Sequence, residues 1–245
     1  LIYATDLEGK ITKVNLTENF SLNNENMIDK NISTTILFDT QADTNNGRYI
    51  YKGLEATIND DNNLWLYFGT GNTQKLGNRS ANIKNRVYGI KDKDFPNFNN
   101  ISSPGTVRKC SRAPTCPGGY YDLGWYVDLQ KSRKVTAEPT VFKDRVYFPL
   151  YEPAPANAVC TKGSAYLNAY DRKCGAAKLG AQGVKLGPGV LSKVLVQGDN
   201  LYIGISGEAD TKGTGFTASG SLITSKSKAT SSQGGVQLEG WREHY

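Results

Sequence analysis

The chain has 245 residues, 38% hydrophobic and 21% charged, with a formal net charge of +6 and a pI near 9.0. That length can bury a substantial core, and the wealth of Gly, Asn, Thr and Ser suits short strands joined by many turns rather than long helices. No apolar run has the length of a membrane-spanning helix, no charged-then-apolar leader is present, and Lys and Arg are spread out without the dense block of a nucleic-acid-binding arm.

The chain opens at Leu1 inside an apparent strand, without Met, and therefore reads as a fragment from which an export signal could be missing. Strands at Leu1–Thr5 and Ile11–Leu16 form a hairpin around Asp6-Leu7-Glu8-Gly9. Gly9 can supply the positive φ of such a turn, and the Asp6 carboxylate can accept from backbone amides within it. Residues 17–35, rich in Asn and Glu, make a long excursion before Thr35–Phe38 resumes an extended pattern. Asn15-Leu16-Thr17, Asn31-Ile32-Ser33 and Asn78-Arg79-Ser80 match the glycosylation sequon, a match that arises easily by chance in an Asn-rich chain.

Leu54–Ile58 and Leu64–Gly69 form the next two strands around Asn59–Asn63. The Gly-Thr-Gly that follows lacks both the Lys-Ser/Thr ending of a P-loop and the third Gly of a dinucleotide fingerprint, so it reads as a strand-end turn. Arg86–Ile90 is another strand, and the following Lys91-Asp92-Lys93-Asp94 does not make a calcium loop because Lys and Phe occupy ligand positions. From Phe95 to Asp122 the chain is rich in Asn, Pro and Gly, and a loop of that length in a compact domain is usually functional.

Gly124–Tyr151 then reads as three strands, Trp125–Leu129, Thr136–Phe142 and Arg145–Leu150, separated by the turns Gln130–Lys134 and Lys143–Asp144. The charged cluster Lys131–Lys134 is read as a solvated loop. Ala165–Tyr170, ending at Asp171, supplies a fourth strand, and four antiparallel strands in succession make one propeller blade. Beyond a linker after Gly175 come Val190–Val196 and Asn200–Ile205. Residues 206–235 are a low-complexity loop or weak hairpin, and Val236–Trp241 is a closing strand.

Four cysteines, Cys110, Cys116, Cys160 and Cys174, allow three connectivities. Pairing in sequence order is favoured, because each pair then brackets one turn-rich loop, and disulfides imply an oxidising compartment. A zinc site is disfavoured by the absence of C-x-x-C spacing and by a single histidine, His244, near the end.

LIYATDLEGKI, RVYGIKDKD, RVYFPLY, SAYLNAYDRKCG and NLYIGISGE each set a Tyr beside apolar residues in a short strand. Their spacing is irregular but repeatedly near the ~40–50 residues of a four-stranded blade, which gives the chain about five blades' worth of sequence. The Tyr residues are read as packing groups between blades. The expected fold is all-β, a β-propeller of quinoprotein-like four-stranded blades over 1–245, incomplete at the N-terminus and part of a larger propeller.

Taken in order, LIYATDLEGKITKVNL, LWLYFGTGN, RVYGIKDKD, GWYVDL through VTAEPTVFKDRVYFPLYEP, GSAYLNAYDRKCG and the terminal GWREHY resemble the C-terminal propeller domain of the PilC/PilY type IV pilus tip-associated proteins. The resemblance implies a secreted, cell-surface protein at the pilus tip that meets minor pilins, promotes pilus extension and contacts host or abiotic surfaces. In that family a calcium loop of alternating Asp and Asn lies ahead of the strand matching Leu1–Thr5. No metal ligand is therefore carried over, and calcium belongs to an upstream loop. No Arg-Gly-Asp triplet is present.

Two enzyme readings compete with this non-enzymatic one, alongside a generic extracellular binding propeller. A quinone-dependent dehydrogenase would need a cofactor pocket, calcium and an Asp base, yet adjacent cysteines are lacking, and Asp6 and Asp171 sit at hairpin ends where turn capping explains them. A Ser-His hydrolase is disfavoured by the lone terminal His244 and the absence of G-x-S-x-G. No catalytic, cofactor-binding or metal-binding residue is assigned within the chain, and neither nucleic acid nor a membrane span is expected.

Overall fold

A computed structural model of the chain describes residues 1–16, 20–22, 28–30, 33–59, 62–98, 108–109, 123–157 and 161–228, with backbone alone at 20–22, 28–30 and 108–109. Its strands are β1 (Ile2–Thr5), β2 (Lys10–Asn15), β3 (Phe20–Leu22), β4 (Ile28–Lys30), β5 (Ser33–Asp39), β6 (Glu55–Ile58), β7 (Leu64–Gly69), β8 (Arg86–Asp92), β9 (Arg108–Lys109) and β10 (Gly124–Asp128). They continue with β11 (Lys134–Val135), β12 (Thr140–Phe142), β13 (Arg145–Glu152), β14 (Ser164–Asp171), β15 (Val184–Pro188), β16 (Leu195–Gln197), β17 (Asn200–Gly204), β18 (Thr217–Ser219) and β19 (Leu222–Lys226).

Among the described residues the strands form four successive sheets and a separate β3–β4 pair. The first sheet has the order β1-β2-β5, and the second β6-β7-β8-β10-β9. The third is β11-β13-β14-β15 with β12 also on β13, and the fourth is β16-β17-β19-β18. The architecture is all-β and propeller-like, as expected.

Each interior sheet uses both faces, because successive strand side chains point to opposite sides. In β7, Leu64, Leu66 and Phe68 join the core shared with the first sheet through Ile11, Leu37 and Phe38. Trp65 and Tyr67, the alternate residues, join the core shared with the third sheet through Val146, Phe148 and Leu150. On β13, Tyr147 instead packs with Leu201, Ile203 and Ile223 of the fourth sheet. A strand covered on both faces has no polar alternation, which is why LWLYFG is one continuous apolar run.

The seam between the second and third sheets is aromatic. Trp125 and Tyr67 each donate to the backbone carbonyl of Arg172, at 3.0 and 2.9 Å. Gly89 makes room for the Trp125 indole, because a Cβ there would lie 2.5 Å from the ring. Of the tyrosines in the repeated motifs, Tyr88, Tyr147 and Tyr170 are buried, in keeping with their reading as packing groups, while Tyr3, Tyr151, Tyr166 and Tyr202 are half-buried.

Several boundaries differ from the sequence reading. The three strands of Gly124–Tyr151 do not share one blade: β10 pairs with β8 in the second sheet, and the sheet boundary falls in the 129–133 turn. The missing strand of the third sheet is β15, within a segment taken for a linker. Its Gly187 and Pro188 mask the strand, because both are poor strand formers. Thr136–Phe142 is not continuous either, since pairing with β13 jumps from Val135↔Leu150 to Thr140↔Tyr147. Pro149 faces this gap, accepting from the Thr136 amide at 3.1 Å while having no N–H to return.

The stretch Val190–Val196 is reduced to an isolated Leu191↔Ile205 bridge and β16. Within 206–235, β19 is an interior strand between β17 and β18 and buries Ile223. Val236–Trp241 lies outside the described residues. The first hairpin turn agrees with expectation: Gly9 has φ 83°, and Asp6 accepts from the Lys10 amide at 2.9 Å.

Candidate binding rim

The sheets have two unlike ends. One, the loop rim, carries the 70–85 connection between β7 and β8, the 129–133 turn and the end of β13. The opposite hairpin rim carries the turns at Lys143-Asp144, 172–174 and Gly198-Asp199.

At the loop rim the 70–85 connection is tied down by its own polar side chains. The Asn72 side chain caps the 3-10 turn Thr73–Lys75, accepting from the amides of Gln74 at 3.0 Å and Lys75 at 3.1 Å. Buried Asn85 donates to the Arg133 carbonyl at 2.8 Å and so joins the connection to the 129–133 turn.

The cluster Lys131–Lys134 is not the solvated loop that its charge suggested. Arg133 is 3% exposed, donates to Glu152 at 2.8 Å and to the Gln182 carbonyl at 2.7 Å, and stacks 3.7 Å over the Tyr166 ring. Lys134 is 1% exposed, and its ammonium donates to the carbonyls of Leu76 at 3.0 Å, Asn78 at 2.6 Å and Ser132 at 3.2 Å. Burial, and then the nearby Arg79 charge, lower the Lys134 pKa from its ordinary 10.5 to about 8. Only Lys131 remains solvated, 3.5 Å from Glu152. Turn composition alone carries no sign of this burial, because the accepting carbonyls come from a loop more than fifty residues away.

Two clefts open beside these groups. The larger, about 540 Å³, is lined by Arg79, Ile83, Lys84, Lys131, Glu152 and Pro153 among others. The smaller, about 300 Å³, is lined by Tyr49, Tyr51, Asn72, Lys75, Asn78 and Lys134 among others, and Ile83 lines both. Among the described residues, Lys75, Arg79, Lys84 and Lys134 have no carboxylate within ion-pair distance. This arrangement can hold an anion against ammonium and guanidinium groups.

At the hairpin rim three cations meet carboxylates. Lys143 meets Asp199 at 2.7 Å, Lys178 meets Asp171 at 3.2 Å, and Arg145 lies 3.5 Å from Asp144. The Lys143 hydrogen bond and charge hold the Asp199 carboxyl below its usual range. Between the first two sheets, Lys13 and Asp92 form an ion pair at 2.7 Å with side chains 0% and 1% exposed. Tyr3 donates to the same carboxylate at 2.7 Å, and burial followed by the Asp92 hydrogen bond pushes its phenol far up. Lys13 also donates to the Asn97 carbonyl. Asp92, excluded as a calcium ligand from the sequence, is thus committed to an internal cation.

Of the four cysteines singled out, only Cys174 falls within the described residues. It is disulfide-bonded and 3% exposed, and its amide donates to Asp171 at 3.2 Å. Cys110, Cys116 and Cys160 lie outside the described residues, as do His244 and most of the Phe95–Asp122 loop. Asp171 caps its turn by accepting also from the Lys173 amide at 2.9 Å, the role expected of it. Among the sequons, Asn15 is 5% exposed within β2, which closes it to glycosylation; Asn78 is exposed, and Asn31 lies outside the described residues. Among the described residues no group of three His, Cys, Asp or Glu could hold a metal ion, and no helix is long and apolar enough to cross a membrane.

Comparison of the sequence with protein-family models and with curated proteins returns no match. Comparison of the fold with solved structures returns the crystal structure of the Pseudomonas aeruginosa PilY1 C-terminal domain, with a TM-score of 0.56 and 14% sequence identity. The match covers 84% of this chain and 56% of that domain, so the chain spans a little over half of the structure it resembles. At this identity the likeness concerns the fold.

Proposed function

We propose that this chain is a non-enzymatic module of the type IV pilus tip, acting in pilus assembly and in surface attachment. The observation that carries the reading is the propeller-like fold shared with the PilY1 C-terminal domain over 84% of the chain. The ordered motifs running from LIYATDLEGKI to the terminal GWREHY support it independently. Residues 1–245 act as one propeller domain in an extracellular setting, where minor pilins and a host or abiotic surface are its partners. The sheets hold the connections at their ends in fixed positions, so binding specificity resides in those connections. In the same reading Cys110 pairs with Cys116 and Cys160 with Cys174, as oxidising export allows, and calcium belongs to an upstream loop.

Deleting the gene and counting surface pili and attached cells tests both halves. Fewer pili are expected, and attachment per remaining pilus is expected to fall. Unchanged piliation and attachment would remove the reading. Dye-linked alcohol oxidation by the purified protein would replace it with the quinone-dependent one.

A further inference from the structure

We propose that the two adjoining clefts of the loop rim form a binding site for an acidic polysaccharide, a polymer of carboxylated sugars. At about 540 and 300 Å³, the clefts have the dimensions of small-molecule subsites. Ile83 lines both, so the two clefts adjoin.

The cations supply the charge. Lys84, Arg79 and Lys131 line the larger cleft, while Lys75 and Lys134 line the smaller. Lys134, buried with its three ammonium N–H groups all given to carbonyls, adds charge to the cleft wall from a fixed position and leaves ligand contact to the exposed cations. Such preorganisation lowers the ordering cost of binding. Arg79 is likewise anchored, donating to the Pro153 carbonyl at 3.2 Å.

The remaining lining favours sugar over other polyanions. Tyr49 and Tyr51, both half-buried, line the smaller cleft, and Asn72 and Asn78, whose side-chain oxygens accept from backbone amides, bring NH2 groups suited to hydroxyl oxygens. Glu152 lies in the larger cleft among the cations. A nucleic-acid duplex, with a phosphate every ~3.4 Å along each strand, is too wide to enter clefts of this size and meets the cations only at their mouths. A chain carrying one carboxylate per sugar can direct its hydroxyls at Glu152 and its carboxylates at the flanking cations. This inference deepens the attachment half of the proposed function and rests on that reading for its biological setting.

The test uses the purified protein and immobilised polygalacturonate, with uncharged dextran and double-stranded DNA as comparison surfaces. Polygalacturonate should retain the protein at physiological salt, dextran should not, and DNA should bind more weakly. Lys75→Glu with Lys84→Glu reverses one exposed cation in each cleft and should weaken polygalacturonate binding at least about tenfold. Lys212→Glu with Lys226→Glu makes the same charge change in the β17–β18 connection and on β19, away from the clefts, and should cost less than about twofold. Tyr51→Ala should weaken binding without changing its salt dependence.

Equal losses in the two double variants would overturn the proposal, as would stronger binding to DNA or no retention on polygalacturonate. Pilus counts are taken separately on cells. A protein that binds polygalacturonate yet leaves piliation and attachment unchanged on deletion keeps the site and removes the pilus reading. The reverse result removes the site alone.

Discussion

The two rims solve the same electrostatic problem in opposite ways. At the hairpin rim each of Lys143, Arg145 and Lys178 meets a carboxylate, and nearby Lys13 meets Asp92 out of contact with water. At the loop rim Lys134 is buried against neutral carbonyls, and Lys75, Arg79 and Lys84 have no acidic partner among the described residues. Carbonyl dipoles stabilise an ammonium without cancelling its charge. The first rim therefore spends its charge internally, whereas the second displays it. Among the described residues, a group of cations without acidic partners thus gathers at one end of the sheets, where it can act on a ligand.

The largest expected effect breaks the internal pairing. Lys13→Met leaves Asp92 buried without its cation and should cost about 3–5 kcal/mol, read as a lowered Tm or denaturant midpoint. Adding Asp92→Leu should recover much of that loss, because the uncompensated charge is what destabilises. If Lys13→Met is silent, the contrast between the rims fails at its strongest point.

The Lys134 prediction concerns pH. With a folded-state pKa of about 8 against an ordinary 10.5, the folded protein releases this proton before the unfolded chain does. Between those values the unfolded state binds more protons, so stability rises with pH, by at most about 3 kcal/mol at roughly 1.4 kcal/mol per pKa unit. Lys134→Met should remove that rise from a Tm-against-pH series taken between pH 8 and 10. A variant that follows the parent curve would show that the carbonyls fully offset the burial.

A smaller loss, about 1 kcal/mol, is expected for Asp171→Ala, which removes the acceptor for the Lys173 and Cys174 amides and a partner of Lys178. The smallest effect belongs to the displayed cations: Lys75→Glu with Lys84→Glu should shift stability by only about 0.5 kcal/mol. A large loss there would mean that the loop rim needs its charge for folding.

Much of the fold is legible in local sequence. LWLYFG reads as a strand, and YATDLEGKI must turn at Gly9, because strand propensity and positive φ are properties of a few adjacent residues. The candidate rim was far less legible. Lys131–Lys134 has the composition of a solvated turn, and only the distant carbonyls of Leu76 and Asn78 explain why Lys134 is buried. Likewise, Lys91-Asp92-Lys93-Asp94 gave no sign that Asp92 would hold Lys13, seventy-nine positions away in sequence.

By itself, then, the sequence determined the all-β class and the principal turns, since β-branched and aromatic runs between polar breaks favour strands, while β15 and β19, in stretches read as a linker and a low-complexity loop, escaped it. Tertiary structure decided which strands share a sheet. The boundary between the second and third sheets falls at 129–133 because β10 finds β8 and β13 finds β14, a choice among strands of similar composition. It also decided which charges are buried and which are shown, because that depends on what stands opposite each ammonium, and pairing across sheets leaves no periodic trace along the chain.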